Sequence, residues 1–125
     1  MTLKAITAFI MIINSAIVLG QYAEFSFDER IHKFEEVNEG TQLEHTFTFI
    51  NKGKAPMVIS KYDVECDCTK AVYPKEPILP GEKSEITITF DTTGKLGWQY
   101  RKIQLYANTK KTPYWIEIRV KVNND

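Results

Sequence analysis

The chain is short of the side chains from which most catalytic centres are built, with two histidines and two cysteines in 125 residues. Only His32 and His45 could serve as an imidazole base, and neither Ser60 nor Ser84 sits in a nucleophile-elbow sequence, so spacing suggests no hydrolase. Excess charge of one sign is missing as well. Sixteen basic residues balance sixteen acidic ones, which gives no electrostatic reason to expect nucleic acid or a strongly charged membrane surface as partner. Glycine is sparse, at six residues. Asn51-Lys-Gly53 and Asp91-Thr-Thr-Gly94-Lys95 read as turns, and neither completes a phosphate-binding loop. No segment after residue 20 keeps the apolar spacing of a long amphipathic helix, and no glycine-rich strand-to-helix turn suggests a dinucleotide fold.

The one long apolar run lies at the start. Lys4 precedes Ala5 to Leu19, interrupted only by Thr7, Asn14 and Ser15, and small residues at Val18 and Gly20 precede Gln21. This pattern predicts a signal peptide over residues 1–20, cleaved before Gln21, and therefore export to the periplasm or beyond. Fifteen residues fall short of the roughly twenty that a helix needs to cross a bilayer, and no basic stop-transfer cluster follows. No stable membrane insertion is expected after cleavage. The remaining residues, 21–125, carry 15 basic and 16 acidic side chains and have room for one modest core.

Alternation organises that remainder. Leu43, His45, Phe47, Phe49 and Asn51 share one phase, and Glu44, Thr46, Thr48 and Ile50 the other, as in a strand with one buried face. Asn51-Lys-Gly53 should end this strand, since Asn and Gly tolerate positive φ, and Pro56 leads into an extended Met57 to Val64. Pro77-Ile-Leu-Pro-Gly81 marks a tight connection before Glu85 to Phe90, where Ile86, Ile88 and Phe90 should face inward. Trp98 to Ala107 and Tyr114 to Val122 supply two further long strands, the second with Ile116, Ile118, Val120 and Val122 as its apolar phase. Glu24 to Phe27 and His32 to Phe34 supply short opening strands, separated by the charged Asp28-Glu-Arg30. About seven strands joined by polar turns predict an all-β, immunoglobulin-like antiparallel β-sandwich in a single domain over residues 21–125.

Several runs together resemble a known group: Phe34-Glu-Glu-Val37-Asn-Glu-Gly40, His45-Thr-Phe47-Thr-Phe49-Ile-Asn51-Lys-Gly53-Lys-Ala55-Pro56, Cys66-Asp-Cys68-Thr69, Tyr73-Pro74, Pro80-Gly81-Glu82 and Phe90-Asp-Thr-Thr93-Gly94-Lys-Leu-Gly97. They look like the bacterial domain of unknown function family 1573. The resemblance implies an immunoglobulin-like fold, related to sandwich modules of ciliary and sperm-protein-like proteins, in exported bacterial proteins with no settled enzyme activity. That family commonly has glycine between the paired cysteines, where this chain has Asp67, and glycine at the position of Glu35. If the glycine between the cysteines adopts positive φ, Asp67 replaces it at some cost or with a changed turn.

Cys66 and Cys68 are the most distinctive pair in the chain. On one face of a strand their Cα atoms would lie roughly 6.5 Å apart, near the upper end of disulfide reach, so an internal bond would need local distortion, whereas a bond to a partner would not. A thioredoxin-like role calls for a two-residue spacer and a strand-to-helix context that this motif lacks. Asp63, Glu65 and Asp67 would disfavour thiolates nearby, while Lys61 and Lys70 would offset them. Metal capture is a further alternative, with Cys66 and Cys68 joined by His32, His45 or Met57. The blander reading has His45 hydrogen-bonded on an inward strand position and Met57 filling the core, and no cofactor or metal is expected. The remaining surface candidate is aromatic: Trp98, Tyr100, Tyr106, Tyr114 and Trp115 could form a patch for protein or glycan. The leading expectation is a non-catalytic interaction or structural module of the cell envelope, contacting an envelope protein or glycan; the alternative is a thiol-dependent redox or metal-handling protein built on Cys66 and Cys68.

Overall fold

The computed structural model describes residues 20–124. The predicted signal segment lies outside the described residues except for Gly20. Nine strands and no helix make up the described chain: β1 (Phe25–Phe27), β2 (Ile31–Lys33), β3 (Val37–Asn38), β4 (Gln42–Asn51), β5 (Ile59–Val64), β6 (Thr69–Val72), β7 (Lys83–Asp91), β8 (Gly97–Ala107) and β9 (Tyr114–Asn123). Among these residues no helix is long and apolar enough to cross a membrane.

The strands form two sheets, ordered β1-β4-β7-β6 and β2-β9-β8-β5, with β3 also pairing β9. The immunoglobulin-like sandwich expected from the alternation is the fold observed, with two differences. Nine strands are present where about seven were expected, and β2 and β3 run parallel to β9, so the second sheet is mixed. Period-two alternation marks a strand and its faces but carries no information on the direction of its neighbour.

The apolar phases meet between the sheets. Phe47 and Phe49 of β4 and Ile86, Ile88 and Phe90 of β7 pack against Ile103 and Leu105 of β8 and Ile116, Ile118, Val120 and Val122 of β9, all buried. At one edge Phe25, Phe27, Phe49 and Tyr114 form an aromatic cluster with ring centroids 5.1–5.7 Å apart, separations at which offset and edge-on rings attract.

Asn51 is the polar centre of this apolar layer, fully buried at the end of β4. Its side-chain Oδ1 accepts from the backbone N–H of Glu24 at 3.1 Å and of Gly53 at 2.9 Å, while Nδ2 donates to the carbonyls of Ala55 and Ile78, both at 2.9 Å. One amide thus ties together the entry to β1, the turn after β4 and the segment before β7. Asn51 does not use the positive φ that its residue type tolerates; among the described residues only glycines have one. Gly53 is also absent from the positive-φ glycines. It is needed for space instead: a Cβ there would lie 2.5 Å from Ala23 Cα and 2.6 Å from its carbonyl carbon, and would run into the Tyr22 carbonyl oxygen. Gly81, by contrast, does hold the left-handed conformation, at φ +84°.

Candidate functional site

The outer face of the β2-β9-β8-β5 sheet carries a lattice of aromatic rings and cations. Alternation along β8 turns Trp98, Tyr100, Lys102 and Tyr106 to this face, and the register sets them beside outward residues of the neighbouring strands: Trp98 opposite Lys121, Tyr100 opposite Arg119, Lys102 opposite Glu117 and Tyr106 opposite Lys61. The rings of Trp98 and Tyr100 stack at 6.3 Å with planes 27° apart. Both stay open to solvent, at 47% and 55% exposure.

Cations sit over these rings. Lys33 Nζ lies 5.1 Å from the Trp98 centroid, the Arg119 guanidinium 5.4 Å from Tyr100, Lys102 Nζ 4.7 Å from Trp115 and Lys61 Nζ 4.5 Å from Tyr106, within the range of attraction between a cation and a ring face. Glu117, only 4% exposed although it belongs to the polar phase of β9, holds Arg119 in place through an Nε–Oε2 contact of 2.6 Å. Lys121 pairs with Glu36 at 3.3 Å; hydrogen bonds from Asn123 and Lys121 hold the Glu36 carboxyl below its ordinary range. Beside Trp98 a shallow cleft of about 380 Å³ is lined by Lys33, Phe34, Glu35, Glu36, Trp98 and Lys121.

Arg30 connects this face to a second cleft. Its guanidinium lies 3.9 Å from the Trp115 centroid and 4.4 Å from that of Tyr114, and its Nε donates to the Trp115 carbonyl at 2.8 Å. The same residue lines a cleft of about 690 Å³ together with Lys52, Lys54, Lys110 and Lys111, where Glu24 is the sole acid. Of the five aromatic residues singled out from the sequence, Trp98, Tyr100, Tyr106 and Trp115 share the outer face. Tyr114 does not: it faces the core edge against Phe25 and Phe27, because it is one residue out of phase with Trp115.

Cys66 and Cys68 are joined by a disulfide, and no free cysteine is present among the described residues. They occupy the turn between β5 and β6 and not a strand face; the turn brings their Cα atoms to 5.2 Å, inside ordinary disulfide reach, where an extended strand would have held them farther apart. Asp67 has no positive φ, nor has Glu35, so neither replaces glycine in a left-handed conformation. Backbone bonds close the turn, from the Thr69 N–H to the Cys66 carbonyl at 3.2 Å and from the Asp91 N–H to the Cys68 carbonyl at 2.8 Å. Lys61, Asp63, Glu65, Asp67 and Lys70 are all exposed around it, and with both sulfurs bonded there is no thiol for their charges to tune.

The five residues named as metal ligands are not assembled as a set. Met57 is fully buried in the core, and the cysteines are paired with each other. His32 and His45 do come together, with their rings parallel within 8° and 3.5 Å apart, and with Glu29 as a third member that the sequence did not suggest. Glu29 Oε1 lies 2.9 Å from His32 Nδ1 and 2.7 Å from His45 Nε2. Burial and the neighbouring His32 push the His45 imidazole below its ordinary range, against the opposing pull of Glu29.

Known proteins resemble the chain in fold. A family model described as "Protein of unknown function (DUF1573)" matches residues 25–122. No curated protein gives a significant sequence match. Among solved structures, a protein of unknown function from Porphyromonas gingivalis W83 superposes with a TM-score of 0.69 at 16% identity, over 86% of this chain and 50% of that one. The ASH/PapD-like domain 7 of human CEP192 superposes at 0.59 with 11% identity, over 83% of this chain and 88% of that one. The Vibrio cholerae VesB protease superposes at 0.60 with 11% identity, over 80% of this chain but 32% of that one. The chain therefore spans half the length of the Porphyromonas protein, and at these identities the likeness concerns the fold.

Proposed function

The chain belongs to the DUF1573 family of proteins of unknown function, and from that premise we propose that it is a non-catalytic, exported interaction module of the bacterial cell envelope, docking an acidic protein or glycan on the outer face of its five-stranded sheet. The observation that carries this reading is the stacked, solvent-open pair Trp98 and Tyr100 with Lys33 and Arg119 held over their rings. Two large rings side by side on a sheet face offer apolar area at little cost in conformational freedom, and the cations beside them select negative charge. The cleft lined by Arg30, Lys52, Lys54, Lys110 and Lys111 extends the same positive character.

Binding and not turnover is what this face can do. Its charged groups are chiefly cations set over rings, with the Glu117 and Glu36 carboxylates already engaged by Arg119 and Lys121, so it supplies stacking and charge rather than a base or nucleophile. The Cys66–Cys68 disulfide and the apolar leader over residues 5–19 support an oxidising compartment outside the cytoplasm.

The test is crosslinked capture from envelope material with the wild-type protein and with the Trp98→Ala/Tyr100→Ala variant. Both side chains are solvent-open, so the variant should fold, and it should lose about 2 kcal/mol of binding, roughly thirtyfold, if the pair anchors the interface. Loss of the captured species on protease treatment identifies a protein, and its survival identifies a glycan. Failure to capture any species, or equal capture by both proteins, contradicts the reading.

A further inference from the structure

We propose that Glu29, His32 and His45 form a binding site for one divalent transition-metal ion of the zinc class, which fastens β2 of one sheet to β4 of the other. The three residues come from separate parts of the fold. Glu29 lies between β1 and β2, His32 is in β2 of the five-stranded sheet, and His45 is in β4 of the four-stranded sheet. Sandwich packing brings them together so that Glu29 Oε1 touches His32 Nδ1 at 2.9 Å and His45 Nε2 at 2.7 Å, and one ligand atom from each lies within 4.8 Å of the others.

Two imidazoles and a carboxylate suit zinc and its neighbours in the first transition row rather than calcium or magnesium, which prefer oxygen. The chemistry of the pair favours a metal over protons. Stacked at 3.5 Å, the rings cannot both carry a positive charge without strong repulsion, so at least one imidazole is neutral, and in the tautomer with its proton on the other ring nitrogen it offers a lone pair on the Glu29 side. His45 Nε2 is buried and, although close to Glu29, lacks a hydrogen bond of acceptable alignment. A buried ring nitrogen without an aligned partner is costly, and a coordinated cation would satisfy it.

Closing the site on an ion requires the side chains to turn, because the two rings now lie parallel and face to face. Zinc holds imidazole nitrogen at about 2.0–2.1 Å, so tetrahedral ligand atoms stand roughly 3.4 Å apart. From 2.9 and 2.7 Å the carboxylate therefore retreats by roughly 0.5 Å from His32 Nδ1 and roughly 0.7 Å from His45 Nε2, and the rings rotate out of their stack so that both in-plane lone pairs point at one centre. Phe34 and Phe47 stand edge-on against the His45 ring, at 6.2 and 4.7 Å, and form an apolar backing that limits solvent on that side. Solvent or a partner group would complete the coordination, because Glu29 is 44% exposed.

The test uses the full protein stripped of metal by a chelator and titrated with zinc alone. Calorimetry should give one ion per chain, and thermal unfolding should shift upward as zinc rises, as linkage requires for a ligand held only by the folded state. In wild-type protein, nitrogen NMR should show the His32 Nδ1 and His45 Nε2 resonances moving on titration. His32→Ala and His45→Ala should each weaken binding at least tenfold, since losing even an outer-shell partner typically costs 10–100-fold. A Cys66→Ser/Cys68→Ser variant should bind as the wild type does. An absence of zinc binding, binding that survives both histidine variants, or NMR shifts confined to other residues overturns the proposal; the NMR readout decides the matter even if a histidine variant fails to fold.

Discussion

Asn51→Ala should cost this small domain a large part of its stability, because the side chain it removes completes four hydrogen bonds in a buried layer. The backbone N–H groups of Glu24 and Gly53 lose their acceptor, and the carbonyls of Ala55 and Ile78 lose a donor. The Ile78 carbonyl keeps its bond from the Met57 N–H, so its loss is the mildest of the four. A typical intramolecular hydrogen bond contributes about 0.5–1.5 kcal/mol net, and a buried group left without a partner costs about 1–3 kcal/mol. Four bonds, most of them only partly shielded from water, therefore sum to about 4 kcal/mol. Against a total of roughly 5–15 kcal/mol for an ordinary domain, this is a large fraction. Asn51→Asp should be about as damaging: it keeps the two acceptor contacts but turns both donor contacts into oxygen facing oxygen. Chemical denaturation monitored by tryptophan fluorescence supplies the measurement, with the slope of the transition checking that both states remain comparable. Thr46→Ala serves as the reference, since the exposed Thr46–Thr87 hydroxyl pair at 2.9 Å should contribute no more than about 1 kcal/mol. If Asn51→Ala proves no more costly than Thr46→Ala, the hub does not hold the β1 entry, the β4 turn and the Ile78 segment together.

Two further outcomes follow from the same structure. Gly53→Ala should destabilise more than Gly81→Ala, because the first drives a Cβ into the Tyr22–Ala23 backbone whereas the second meets open space and bears only the left-handed strain of about 1–2 kcal/mol; comparing the two denaturation midpoints gives the order. For the metal-free protein, stability should fall as the pH drops below 6.5. The fold lowers the His45 pKa, so the unfolded chain takes up its proton first; the contribution is complete above the unfolded value and is lost as the pH falls through the lower folded one. Thermal unfolding from neutral to about pH 5 should show this slope in the wild type and a smaller one in His45→Gln, and equal slopes would refute the assignment.

The long strands were legible because each has one buried face. In β4, β7 and β9 the residues of the apolar phase, from Phe47 through Ile88 to Val120, are the ones that fill the core. Strand β6 buries only Thr69 and Ala71 and so shows no strong apolar phase, and β3, with two residues, is too short for alternation to show. The aromatic face was readable in the same terms: Trp98, Tyr100 and Tyr106 share a phase, while Tyr114 and Trp115 had to fall on opposite sides. The cations that complete it divide into two kinds. Lys102 and Arg119 lie in the outward phases of β8 and β9, but Arg30 reaches Trp115 from a loop, and no local pattern announces that. Glu29 was hidden for the same reason, since it meets His45 only after the two sheets pack. An extended path would have set Cys66 and Cys68 on one strand face, but backbone bonds to their carbonyls bend the segment into a turn, and nothing in the local alternation signals that.

A footprint of the chain in complex with its captured envelope partner locates the docking face itself. Protection of side chains from labelling, read by mass spectrometry, should fall on Trp98, Tyr100, Lys102 and Lys121 of the outer face, and should weaken in high salt as attraction to an acidic partner is screened. Protection confined to the outward residues of the opposite sheet, such as Thr46, Thr48 and Glu85, or binding indifferent to salt, would contradict the account.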